Sequence, residues 1–316
     1  MNKKVRKPIR LRDFIADREG WIYAVSTYDN TPKAGCVLRY IPDPEGERKT
    51  PDGRHYHKLE FEEAYERISS EKPEYSDFIQ RIPSRDITRV WKPEEELDKI
   101  CRRNFTVKKL VELFDLPGGT IGCTGSFLCE LENSGSDIDL VIYGRTWFHA
   151  QKILQYATNR GILESIDDDM WMRIYRKRNP EISFSEFMLH EKRKCNRGQI
   201  DGTYFDLLYT RPYEKLNPIP AGKGRTLGMV TIEAEVVDAS LSHDNPAVYE
   251  VDHEKISRVL SFTHTYSGQA LAGEIIQARG MCEQHGDEYW LVVGTTREAK
   301  GEFIRSLTLI ESDGRA

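Results

Sequence analysis

The sequence predicts an α+β protein in three parts: an N-terminal β-containing module (residues 1–92), a central domain of strands and helices (93–216) and a small C-terminal β-barrel or sandwich domain (217–316). Three observations lead there. The 316 residues are more than one hydrophobic core ordinarily serves. Strand-like runs crowd the two ends, whereas helical periodicity is concentrated between them. The stretch NPIPAGKGRT, residues 217–226, carries two prolines and two glycines and so marks a boundary.

Taken in order, WIYAVSTY (21–28) and CVLRYI (36–41) are rich in β-branched and aromatic residues and flank the turn-forming DNTPKAG. After a Pro- and Gly-rich loop, Phe61, Ala64, Tyr65 and Ile68 recur at helical spacing. Pro93 followed by three glutamates reads as a helix start. Val107, Leu110, Val111 and Phe114 give one more helix, closed by LPGG. A short strand, 120–124, leads into FLCELE, which reads as helical, and then into a second strand through residue 142. Thr146 is placed to cap a helix burying Trp147, Ala150, Leu154 and Ala157. Residues 167–200 read as two short basic helices, and TYFDLLYT (203–210) as a strand. Beyond the linker, Val230, Ile232, Ala234 and Val236 alternate with polar residues, and GEIIQARG, YWLVVGTT and EFIRSLTLI supply three further strands.

Composition bounds the function loosely. At 39% hydrophobic and 31% charged the chain is an ordinary folded protein, with no apolar run long enough to span a bilayer. The basic start, MNKKVRKPIRLRDF, lacks the apolar stretch of a signal peptide, so a cytoplasmic location is expected. Cys36, Cys101, Cys123, Cys129, Cys195 and Cys282 form no CxxC pair, which fits a reducing compartment and argues against a disulfide framework. A net charge of −5 argues against coating nucleic acid by bulk charge, though not against a local basic groove.

The chemistry is concentrated in CTGSFLCELENSGSDIDLVIYG, residues 123–144. On an extended segment alternate side chains share a face, so Asp137 and Asp139 project together, with Cα atoms ~6–7 Å apart. Two such carboxylates repel unless a cation sits between them, and hard divalent cations prefer oxygen ligands. Upstream, Gly125 permits a sharp bend and close approach to a ligand, while backbone N–H groups and the Ser126 hydroxyl can meet phosphate oxygens. A phosphate seat and a metal clamp on successive elements suit an NTP bound with Mg²⁺.

Gly125-Ser126 followed about ten residues later by Ser136-Asp137-Ile138-Asp139-Leu140 resembles the signature of the DNA polymerase β-like nucleotidyltransferase superfamily, over roughly residues 105–210. As a whole the chain resembles multidomain archaeal nucleotidyltransferases of unassigned acceptor. The resemblance implies a mixed sheet with flanking helices, and transfer of NMP from an NTP to a hydroxyl with release of pyrophosphate. It further implies two Mg²⁺ ions, replaceable by Mn²⁺, on Asp137, Asp139 and a third carboxylate. Asp206, inside the apolar strand YFDLL, is the best match for that third group, with Asp201 as fallback. Gly125, Ser126 and Ser136 would bind the nucleotide.

Plainer readings stand beside these. Asp206 could be a salt-bridged strand residue, and Ser134 and Ser136 could simply form a turn. Arg173, Arg176, Lys177, Arg178, Lys192, Arg193, Lys194 and Arg197, interleaved with Trp171, Tyr175 and Phe187, would line a groove for RNA or triphosphate, or else be a solvated helix face. RNA, a tRNA or another 3′ end, is the expected acceptor. The alternatives are a small-molecule or protein hydroxyl, or a non-catalytic RNA-binding module. No membrane partner is expected.

Overall fold

The computed structural model describes residues 7–296 and 299–314; the first six residues of the basic start lie outside them. Among the described residues no helix is long and apolar enough to cross a membrane. The protein is α+β. It divides into two compact units, residues 1–164 with 197–218 and residues 165–196 with 219–316. This differs from the expected three-part division in two respects. The N-terminal module and the central sheet form one unit, and the segment 165–196 joins the C-terminal one.

In the first unit, strands β1 (Phe14–Ala16), β2 (Ile22–Val25), β3 (Lys33–Pro42), β4 (Arg48–Lys49) and β5 (His55–Lys58) precede helix α1 (Phe61–Glu71). Strands β6 (Gln80–Pro83) and β7 (Arg89–Trp91) complete an N-terminal sheet of order β4-β5-β3-β2-β1-β7, with β6 also paired to β3. Its core collects Ile15, Tyr23, Leu38, Leu59 and the α1 residues Ala64 and Ile68, at the spacing expected for a one-sided helix.

Helices α2 (Pro93–Arg103) and α3 (Phe105–Phe114) follow. Pro93 opens α2, and the Asn104 side chain caps α3 by accepting from the Val107 N–H at 2.8 Å. Strands β8 (Ile121–Thr124) and β9 (Ile138–Tyr143) and helix α4 (Thr146–Asn159) come next. The chain leaves the unit through α5 (Asp168–Arg178) and α6 (Phe184–Lys194), then returns as β10 (Arg197–Ile200) and β11 (Thr203–Thr210). The central sheet has order β10-β11-β9-β8 and is mixed: β9 and β11 run parallel, the outer pairs antiparallel. One face is closed by helices, through edge contacts of Phe114 with Phe205 and of Trp147 with Tyr209.

Three expectations are corrected here. FLCELE is not a helix: residues 125–130 form successive turns, ending at Glu130 with φ +60°. Phe127, Leu128 and Cys129 are all buried, and a helix cannot turn three consecutive side chains onto one buried stripe. Thr146 begins α4 without capping it, since Arg145 holds that position with no side-chain bond. Residues 197–200 are a strand, not the end of a basic helix.

The second unit contains β12 (Arg225–Leu241), β13 (Ala247–Asp252), β14 (Ile256–Ser261), β15 (Ile275–His285), β16 (Glu288–Val293), β17 (Phe303–Ser306) and α7 (Leu307–Asp313). Pairings run β12-β13-β14-β16-β15 and return to β12, so the sheet closes on itself, with β17 added on β15. Its β14–β16 pair is parallel, and its other pairs are antiparallel. The end of EFIRSLTLI is helical because the Ser306 hydroxyl caps it, accepting from the Leu309 N–H at 3.1 Å. Trp171, Ile182 and Phe187 of the α5–α6 segment pack into the same core as Val236, Tyr249 and Leu291.

Candidate functional site

The central sheet sets one row of side chains across four strands. Thr124 on β8 is the register partner of Asp139 on β9, which partners Asp206 on β11, which partners Arg197 on β10. Residues paired in register point to the same side, so Asp139 and Asp206 are neighbours on one face, about one strand spacing of ~4.8 Å apart. Asp137 lies two residues before Asp139, just ahead of β9, and is exposed; Asp139 is half-buried. The side chains at 205, 207 and 209 go to the opposite, helix-covered face, which leaves the acids opposite the packing helices.

The charge on Asp139 responds to both other acids. The Asp139 carboxyl is pushed up to about 7, first by burial, then by the neighbouring Asp206 carboxylate and by Asp137. Arg12 and Arg39, both from the N-terminal module, pull the other way. Asp206 accepts from Arg197 Nε at 2.8 Å and from the Tyr204 hydroxyl at 3.0 Å, both on Oδ1. The salt-bridged reading of Asp206 and its place beside Asp139 are thus both present.

Gly125 bends the chain directly against this row. Its φ of +71° is open to glycine, and a methyl group there would stand 2.7 Å from Asp139 Oδ2. The bend and the acids share one location. Ser126 follows in the turns, its carbonyl accepting from the Leu131 N–H at 3.0 Å. Because no helix starts at 126, the row of N–H groups expected there is replaced by a string of turns. Arg103, at the end of α2, holds that string by donating to the Phe127 carbonyl and to Glu132 Oε1. Ser136 closes a turn with Asn133: its hydroxyl accepts from the Asn133 N–H at 3.0 Å and from Arg48 Nη1 at 3.2 Å. Ser136 therefore shapes the approach to Asp137 as a turn former.

Other sequence candidates lie elsewhere. Asp201 sits in the β10–β11 turn and accepts from Lys109 Nζ at 2.7 Å. Asp167 caps α5 through the Met170 N–H. Of the basic segment, Lys194 is buried against Glu191 and the Thr265 carbonyl, and Arg193 donates to Glu274 and the Gln269 carbonyl. Trp171, Tyr175 and Phe187 pack on one another, so the interleaved aromatics build a core and not a stacking groove. Arg173, Arg176, Lys177 and Lys192 remain exposed.

Sequence reasoning missed Arg12, Arg39 and Arg48 of the N-terminal module, and the pairing of Arg197 with Asp206. Only the last had a readable signal, because two short strands joined at Asp201-Gly202 place 197 and 206 opposite each other.

As potential donors, Asp137, Asp139 and Asp206 supply hard carboxylate oxygens whose mutual repulsion a divalent cation would relieve. Among the described residues, no group of three or more His, Cys, Asp or Glu is already gathered as a metal cage.

The chain is 36% identical, over 338 aligned positions, to the uncharacterized protein MJ1086 of Methanocaldococcus jannaschii; the match covers 94% of this chain and 98% of that protein. No family model matches it, and no solved structure does.

Proposed function

This chain belongs to the family of the uncharacterized protein MJ1086, and for it we propose metal-dependent nucleotidyl transfer, in which an NTP gives its NMP to an acceptor hydroxyl and releases pyrophosphate. One observation carries the reading: the glycine bend at 125 lies against the carboxylate of Asp139, which has Asp206 beside it in register. The tight bend and the acids therefore share one sheet face, which supports a triphosphate and its cations bound together there.

Asp137, Asp139 and Asp206 would hold Mg²⁺. The bound cations would acidify the attacking hydroxyl and stabilise the leaving pyrophosphate. The rest falls to this chain's own residues. Gly125 lets backbone come close to the phosphates, and the Ser126 hydroxyl donates to them. Arg48, bound to both the Leu131 carbonyl and Ser136, fixes the turn that delivers Asp137. Arg197 and Tyr204 orient the Asp206 carboxylate. Positioning and charge then supply most of the rate.

RNA is the proposed acceptor, on the lesser support of exposed Arg173, Arg176 and Lys177 on a unit that also carries a small closed barrel. The test is incubation of the full chain with Mg²⁺, each α-labelled NTP and RNA or protein extract, beside the Asp137→Ala, Asp139→Ala double variant. Label in RNA that the double variant fails to transfer is the expected result. Label retained by the variant removes the mechanism, and label in protein or a small molecule replaces the acceptor.

A further inference from the structure

We propose that the N-terminal module is a working wall of this site, from which Arg12 and Arg39 bind the polyphosphate of the nucleotide. The inference rests on the nucleotidyl-transfer reading and assigns a substrate contact to a module outside the motif that suggested it.

Arg12 is brought to the acids by its own backbone. Its carbonyl accepts from Thr124 Oγ1 at 2.7 Å, and Thr124 is the register partner of Asp139. Its φ of +75° is a conformation that residues other than glycine seldom adopt. That conformation is held from both sides. The Arg12 N–H donates to the Val25 carbonyl at 3.0 Å, and the Asp13 N–H donates to the Arg10 carbonyl at 3.1 Å.

The flanking residues are locked in turn. Asp13 is buried and accepts from Lys92 Nζ at 2.6 Å. The Arg10 guanidinium lies between the rings of Tyr143 and Tyr213, 3.7 and 3.8 Å from their centroids. Backbone strain kept in place by such an over-determined surround is characteristic of residues aimed at a ligand.

Arg39 stands on β3, half-buried, between the buried Leu38 and Tyr40. The hydrogen bond to Thr124 fixes Arg12 beside the strand residue in register with Asp139, and the charges of Arg12 and Arg39 both favour the ionised form of that carboxyl. A triphosphate delivered with divalent cations has more anionic oxygens than the metal can cover. The planar, two-pronged guanidinium suits those that remain. Two acids and two arginines acting on one carboxylate thus match the two halves of a metal–triphosphate complex.

Titration calorimetry of the full chain with inorganic tripolyphosphate and Mg²⁺ tests this without turnover. Wild type is expected to bind. Arg12→Ala and Arg39→Ala should each weaken binding about tenfold or more, the loss of one charge-assisted contact. Arg54→Ala, at an exposed arginine paired with Asp52, should leave it unchanged. If Arg12→Ala does not fold, Arg12→Lys keeps the charge, loses the two-pronged geometry and should still bind less tightly than wild type.

A folded Arg12→Ala, Arg39→Ala double variant that binds like wild type overturns the proposal. So does a wild type that binds no tripolyphosphate yet transfers labelled nucleotide. Arginine-dependent binding by a chain that transfers nothing would sustain this inference and remove nucleotidyl transfer alone.

Discussion

Asp139 is the residue on which the proposed chemistry turns, and its charge leaves a measurable trace in stability. The folded chain keeps a proton on this carboxyl up to about pH 7, whereas the ordinary carboxylate value is 3.8. Between those limits the folded state binds more protons than the unfolded one, so this residue's contribution to stability falls as pH rises from about 4 to 7. Asp139→Asn should therefore stabilise the metal-free protein at pH 8, by on the order of 2–4 kcal/mol, with the gain vanishing below about pH 4. Thermal denaturation across pH checks it, and added Mg²⁺ should raise the Tm of wild type and not of the variant. Gly125→Ala meets two obstacles at once, a positive φ and the Asp139 oxygen. A destabilisation of at least about 1 kcal/mol and loss of nucleotide binding are expected, read by urea denaturation and calorimetry. At this scale Asp137, Asp139 and Gly125 are legible in the sequence because strand alternation and a fixed ten-residue spacing are local properties. Arg12 and Arg39 are not, since nothing near residue 12 or 39 records which carboxylate the fold will bring beside it.

Elements succeed or fail as expectations according to how local their causes are. β9, β11 and α4 follow from strand alternation, residue type and a helical stripe respectively, and the buried residues of α4 are the four that define its stripe. The segment 125–130 departs because tertiary burial of three successive residues outweighs its helical composition. The joint between the N-terminal segment and α2 shows a cost that single elements do not reveal. Arg10 and Glu94 are both nearly inaccessible, with side-chain exposures of 2% and 4%, and their ion pair spans 2.9 Å. Burial opposes ionisation of Glu94, but Arg10 and hydrogen bonds from Tyr213 and Lys7 outweigh it and lower its pKa to about 2. Glu94→Ala strands a buried guanidinium and should cost about 3–5 kcal/mol in urea denaturation, more than Glu94→Gln, which keeps a hydrogen-bond acceptor.

At the scale of the whole molecule, the chain crosses from one unit to the other and back. Residues 165–196 leave the first unit between α4 and β10 and share a core with the barrel strands. One crossing, at 218/219, falls inside the proline- and glycine-rich stretch 217–226, whereas long-range packing decides those at 164/165 and 196/197. A chain ending at Pro218 should fold its first unit while exposing Trp171, Ile182 and Phe187, and so aggregate or bind a hydrophobic dye where the full chain does not. The central claim concerns the first unit: that its bend and its acids handle one metal-bound triphosphate. Parallel incubations with α-labelled and γ-labelled NTP, scored together with pyrophosphate release, test it most directly. The account predicts that α-label enters the acceptor in step with pyrophosphate and that both are lost in Asp139→Asn. Incorporation of γ-label, or pyrophosphate release that survives in Asp139→Asn, would contradict it.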